Sequence, residues 1–228
     1  MILPKEQSDL LDILTTDTEL LTGDIVEGKA AGNIILCKGK PGVGKTLTAE
    51  IYSEVCEKPL YSVHAGVLGT TAAKIAENLR TVLQRAQRWD CILLIDEADV
   101  FVAERGTNVE QNAIVAEFLR TLESFRSLMF MTTNRPDDID DAIISRCAAV
   151  IAYVLPDSTL RAQIWKVMSD NFEAGISDKL ITELVEAFNM ISARDIKMLL
   201  RLTLRVSMAR KSHFHGICSA NAPSSGVS

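Results

Sequence analysis

The chain has 228 residues, 47% of them apolar and 24% charged, with a formal net charge of −6 and an isoelectric point near 5.2. A chain of this length buries roughly 70% of its unfolded surface, so a folded core needs no metal or disulfide staple. The composition excludes a wholly disordered or collagen-like chain. The acidic balance makes free nucleic acid a poor default partner.

Residues 1–32 read as a linker or helical segment. Their start, MILPKEQSDLL, lacks the charged-then-apolar pattern of a secretory leader. No apolar run approaches the ~18 residues of a membrane span. The expectation is a soluble, cytoplasmic protein without a membrane partner. The five cysteines, Cys37, Cys56, Cys91, Cys147 and Cys218, form no C-x-x-C pair and are odd in number, which favours free thiols in a reducing compartment.

Five apolar, β-branched runs follow in chain order: 33–38 (NIILCK), 60–64 (LYSVH), 91–96 (CILLID), 128–133 (LMFMTT) and 149–155 (AVIAYVL). They are apolar on both faces, as strands between two helix layers are. Between them the period becomes helical, through Ile75, Leu79, Val82, Leu83 and Ala86, and again through Ile114, Val115, Phe118, Leu119 and Leu122. Strand–helix alternation predicts a mostly parallel sheet over 33–155. After Pro156 the strands stop. Helical patterns at 160–172, 178–188 and 192–210 predict a small all-helical appendage over 156–211, with caps at Asp157/Ser158 and Ser177/Asp178. Residues 212–228 are small, polar and unpatterned, and read as a disordered tail.

The first strand runs into Gly39-Lys40-Pro41-Gly42-Val43-Gly44-Lys45-Thr46, which fits G-x-x-x-x-G-K-[ST]. Glycines let backbone N–H groups turn inward around a phosphate, and the following helix adds its positive end. Gly39, Pro41, Gly42, Val43, Gly44, Lys45, Thr46 and Leu47 are the expected nucleotide-binding residues. Lys45 would neutralise the β/γ-phosphates and the Thr46 hydroxyl would ligate Mg²⁺. The alternative for this stretch is a glycine turn that caps a helix.

The third strand ends in Asp96-Glu97. Desolvating adjacent acids is costly, so a metal or a water gives them a task. Asp96 would hold the Mg²⁺ hydration shell and Glu97 would polarise the attacking water. A solvated strand end is the alternative for the pair taken alone. Asp99 completes the letters DEAD but reads as a helix N-terminal acid, since other helicase motifs are missing. The fourth strand ends in Thr132-Thr133-Asn134-Arg135-Pro136, where Asn134 either opens a turn or holds the water opposite Glu97.

Together these segments resemble the AAA+ family of P-loop ATPases, as its Walker A, Walker B and sensor 1 motifs in the family's order. The resemblance covers roughly 33–210. It implies a three-layer α/β P-loop core, a parallel five-stranded sheet of order 5-1-4-3-2 and a helical lid. It implies ATP and Mg²⁺ as ligands, and hydrolysis coupled to remodelling of a macromolecule. The Asp140–Cys147 segment looks like the family's arginine-finger segment, with Arg146 reaching a neighbouring subunit's γ-phosphate. Ser192-Ala193-Arg194-Asp195 is similar to sensor 2, with Arg194 acting in cis. A finger in trans implies a homo-oligomer, commonly a hexameric ring.

Where many ring-forming relatives carry an aromatic–aliphatic–Gly pore loop, this chain has Val67-Leu68-Gly69, with Leu68 left for apolar contacts. Ser145-Arg146-Cys147 looks like clamp-loader ATPases, whereas TTNRPDD and Glu104-Arg105-Gly106 look like the protein-remodelling branch, which is the favoured reading. The alternatives are a nucleotide-dependent binding switch with negligible turnover and a clamp-loader-like, DNA-associated ATPase. In this family partner choice usually lies in a domain before the core; here about thirty residues precede the first strand, and none of them reads as a folded domain. Of the other residues, Lys197, Arg201 and Arg205 read as a solvated basic face, His64 as structural, Met129 and Met131 as strand core, and Trp89 and Trp165 as packing anchors. His213 and His215 are too isolated for a metal site.

Overall fold

The computed structural model describes residues 34–220. The readings of 1–32, of Asn33 and of 221–228 lie outside these, as do the side chains of His213, His215 and Cys218.

Five strands form one parallel sheet: β1 (Ile34–Gly39), β2 (Leu60–His64), β3 (Ile92–Asp96), β4 (Met129–Thr133) and β5 (Ala149–Tyr153). The order is β2-β3-β4-β1-β5, as the resemblance implied. Side chains alternate across a strand, so each strand feeds two cores. Ile34, Leu36, Leu93, Ile95, Met129 and Met131 face one layer, where they meet α2 (Ala72–Arg88) and α4 (Val109–Leu122). Ile35, Cys37, Ile92, Leu94, Phe130 and Ile151 face the other, where Ala49 and Tyr52 of α1 (Lys45–Val55) pack. Two short helices, α3 (Asp99–Val102) and α5 (Asp141–Ile144), follow β3 and β4.

The core forms one compact unit that ends at Val154, and the helical unit begins at Leu155. The latter holds α6 (Ser158–Asn171), α7 (Asp178–Ala187) and α8 (Ala193–Ala220) around Trp165, Ile164, Ile181, Ile196 and Leu200. Asp157 caps α6 and Ser177 caps α7 through their side-chain oxygens. Ser192 and Asp195 exchange hydrogen bonds at the start of α8, a reciprocal cap that fixes this helix entry.

Three expectations are corrected. The last helix does not stop near Arg210 but runs to Ala220, with no proline between those two residues to break it. Residues 212–220 are therefore not an unstructured tail. Trp89 is 54% exposed and only edges Tyr61, so it is no buried anchor, whereas Trp165 is 1% exposed. Leu68 is 2% exposed in the core, inside a 3-10 turn over Ala65–Leu68, so it cannot make pore contacts; Val67 is the exposed residue there. Among the described residues, no helix is long and apolar enough to cross a membrane.

Candidate nucleotide site

The three motifs meet at the carboxyl ends of β1, β3 and β4. Parallel register places Cys37 beside Thr132 and Ile95 beside Met131, and ligands of open α/β sheets bind at these ends. Gly39 leaves β1 with φ 150°, and a Cβ there would lie 2.3 Å from the Tyr153 carbonyl oxygen. Gly44 enters α1 with φ 109° and no side-chain cap. The loop between them therefore needs glycine at both ends, for close approach at the first and left-handed backbone at the second.

Lys45 is 7% exposed. Its ammonium donates to the Gly39 and Lys40 carbonyls at 2.7 and 2.8 Å and to Asn134 Oδ1 at 2.9 Å. The next residue, Thr46, donates to Asp96 Oδ1 at 2.9 Å. Adjacent residues of one helix turn thus touch the ends of β4 and β3.

Thr132 organises the acidic pair. Its hydroxyl donates to Asp96 Oδ1 at 2.5 Å and accepts the Glu97 amide at 3.0 Å, and its carbonyl accepts the Ala98 amide at 2.8 Å. Glu97 adopts φ 55°, an uncommon conformation for a non-glycine residue, which turns the chain sharply after β3. Its carboxylate meets His64 Nε2 at 2.8 Å. Asp99 holds the neighbouring strand: its Oδ1 accepts the Thr133 hydroxyl at 2.6 Å and the Asn134 amide at 2.8 Å.

The sequence reading missed His64, Thr132, Thr133 and the second role of Asp99. The sequence reads His64 as structural, yet its ring touches the candidate base. The available signal was its place at the end of a strand expected beside β3.

Arg146 donates to the Ala142 carbonyl and to Glu123 Oε1, both at 3.0 Å. Arg194 belongs to the helical unit and is exposed at the start of α8.

The donor set suits a small hard cation. Thr46 and Asp96 offer two oxygens, and among the described residues no cluster of three or more His, Cys, Asp or Glu side chains could hold a metal. Mg²⁺ fits such a site, because it is usually bound through one or two protein oxygens, with waters and phosphates completing its shell.

A family model, ATPase family associated with various cellular activities (AAA), matches residues 35–154, just over half of the chain. Relatives include spastin of Naegleria gruberi, 27% identical over 76% of this chain and 36% of that protein. The mitochondrial sorting homolog of Caenorhabditis elegans is 29% identical over 75% of this chain and 52% of that protein. The ATP-dependent zinc metalloprotease FtsH 1 of Phytoplasma mali is 29% identical over 73% of this chain and 29% of that protein. The chain thus spans between 29% and 52% of the length of these curated relatives. With the phosphate-loop lysine, the acidic pair and the asparagine all brought to one end of the sheet, the chain belongs to the AAA family of ATPases.

Proposed function

We propose that this chain binds ATP with Mg²⁺ and hydrolyses it to ADP and phosphate, and that the reaction moves subunits of a homo-oligomeric ring, such as a hexamer, against a protein substrate. The observation that carries the reading is the double contact of one helix turn: Lys45 to Asn134 and Thr46 to Asp96, both at 2.9 Å. The loop residues Gly39, Pro41, Gly42, Val43, Gly44, Lys45, Thr46 and Leu47 would bind the nucleotide. Thr46 and Asp96 would hold the Mg²⁺. When bound, the cation supplies charge neutralisation to the phosphate oxygens. Lys45 exchanges its carbonyl and amide partners for phosphate oxygens. Glu97 takes the proton of the attacking water, and Asn134 orients that water.

Arg146 would act as the finger toward a neighbour, and Arg194 as the lid's γ-phosphate sensor. To reach out, Arg146 gives up an exposed pair with Glu123, worth about 1 kcal/mol at most. A finger can supply 10³–10⁵ in rate, about 4–7 kcal/mol of transition-state stabilisation, and the modest cost of freeing Arg146 subtracts little from it. Turnover that rises with concentration, vanishes in Arg146→Ala and returns on mixing with Glu97→Gln subunits would support the shared site. Turnover independent of concentration and unchanged in Arg146→Ala would remove it.

A protein substrate is favoured by the resemblance and by the acidic chain. ATPase stimulation by DNA that falls steeply with salt would favour the clamp-loader-like reading instead. The cytoplasmic assignment belongs to the same proposal.

The decisive test is binding of a fluorescent ATP analogue together with phosphate release. Lys45→Ala is expected to abolish binding. Glu97→Gln is expected to keep binding and to release phosphate at least about a hundredfold more slowly. Retained affinity in Lys45→Ala would refute the phosphate-loop assignment. One observation favours a low-turnover switch as the second reading: the Glu97 carboxylate is engaged by His64. Equal phosphate release by wild type and Glu97→Gln would select it.

A further inference from the structure

Tyr153 ends β5 and is 7% exposed. Its hydroxyl lies 2.6 Å from Thr48 Oγ1, and Thr48 Oγ1 donates to the Gly44 carbonyl at 3.2 Å. A threonine hydroxyl has one proton. That proton goes to Gly44, so the Tyr153 hydroxyl is the donor to Thr48. The Tyr153 oxygen in turn accepts from the Cys37 thiol, at 3.9 Å between sulfur and oxygen. Donation therefore runs in one direction, from Cys37 through Tyr153 and Thr48 to the Gly44 carbonyl, which also accepts the Thr48 amide at 3.1 Å. Cys37 and Thr48 are fully buried. Burial pushes the Cys37 thiol up to about 12 and the Tyr153 hydroxyl above its usual range, so both groups are protonated at neutral pH.

The consequence lies at the next peptide. The Gly44–Lys45 bond is trans and planar, so its N–H points opposite to its C=O. With the carbonyl held from within the core, the Lys45 N–H is turned to the outer side of the loop. Gly44 has no side-chain cap, and its φ of 109° does not by itself fix the following ψ. The Tyr153 main chain meanwhile backs the other end of the loop at Gly39.

We infer that Tyr153 is a positioning residue of the phosphate loop, acting through Thr48 to aim the Lys45 amide at the bound phosphates. The inference rests on the reading of Gly39–Leu47 as the ATP-phosphate loop.

The test uses the full chain. Tyr153→Phe keeps the ring and removes the donor. The affinity for N-methylanthraniloyl-ADP and the KM for MgATP should weaken about three- to tenfold, the size of one neutral hydrogen bond, while kcat at saturation is unchanged. Thr48→Val should give the same loss. The double variant should lose no more than either single one, because both act through one bond. Thr48→Ser, which keeps the hydroxyl, should restore wild-type affinity. An unchanged KM in Tyr153→Phe, or losses that multiply in the double variant, would overturn the positioning role while leaving the ATP reading intact. Undiminished N-methylanthraniloyl-ADP binding by Lys45→Ala would instead overturn the ATP reading, and this inference with it.

Discussion

His64 Nε2 donates to Glu97 Oε2 at 2.8 Å, while His64 Nδ1 accepts the Gly66 amide at 3.2 Å. The second bond decides the first. With Nδ1 occupied as an acceptor, the ring proton sits on Nε2 and is given to the carboxylate. Parallel pairing of β2 with β3 sets His64 level with Asp96, one residue before Glu97. Both side chains are about half exposed, which limits the bond to about 1 kcal/mol. In the proposed reaction this donor lowers the basicity of the Glu97 carboxylate, which takes a proton from water more readily once the bond is broken. His64→Ala is therefore expected to raise basal phosphate release up to about fivefold, with nucleotide affinity unchanged. A variant that turns over no faster than wild type would show that the bond does not restrain Glu97.

Asn134 is expected to act on rate rather than on affinity. Its side-chain oxygen meets Lys45, and its backbone N–H is held by Asp99 Oδ1. Asn134→Ala should lower kcat about a hundredfold, as loss of one preorganised polar group does, and change KM little. Asp99→Ala should lower kcat less, because it frees Asn134 and Thr133 without deleting either. Steady-state kinetics on both variants checks the order; a larger loss in Asp99→Ala would place the main role in the carboxylate itself.

Much of this site was legible because its chemistry is local. The Gly39–Thr46 loop needs particular residues at particular spacings, and Asp96-Glu97 stands out against the apolar strand before it. The strands declared themselves by being apolar on both faces. Their order came from resemblance, since spacing alone does not say that β4 inserts between β1 and β3. What escaped were partnerships made by register. His64 and Glu97 are 33 residues apart, and Thr132 reaches Asp96 across 36. Nothing in the local sequence of either member marks such a pair. The fate of Leu68 was hidden for a similar reason: whether an apolar residue in a short turn faces solvent or core depends on the helix packed beside it.

The thiols give a prediction independent of nucleotide chemistry. Burial pushes Cys37 and Cys147 each up to about 12. The thiolate is the nucleophile, so both cysteines should resist iodoacetamide at pH 8 in the folded chain and react once it is unfolded in urea. Mass spectrometry of the labelled peptides reads this directly. Rapid labelling of Cys37 in the native chain would show that the Cys37–Tyr153–Thr48 region opens readily.

The buried Asp140 couples the loop between α3 and α4 to the helix that precedes Arg146. Arg105 donates to its carboxylate from Nε at 2.7 Å and from Nη2 at 3.2 Å, and the Ala142 amide donates to it at 2.9 Å as the cap of α5. Burial opposes ionisation of this carboxyl, but Arg105 and the Ala142 amide outweigh it and hold the carboxyl below the usual carboxylate range. A depressed folded-state value means that the contribution to stability is complete above the unfolded value of about 4 and is lost as pH falls through the folded one. Asp140→Asn should therefore cost about 2 kcal/mol at pH 7, from one charge-assisted hydrogen bond and a weakened cap. The gap from wild type should narrow as the pH drops below about 4, where wild type protonates the same group. Urea unfolding at pH 7 and at acid pH measures both. Equal stability of the two proteins at pH 7 would mean that the Arg105 pair only balances the cost of burying the carboxylate. A gap that stayed constant into acid would place the loss in the amide's shape rather than in the missing charge.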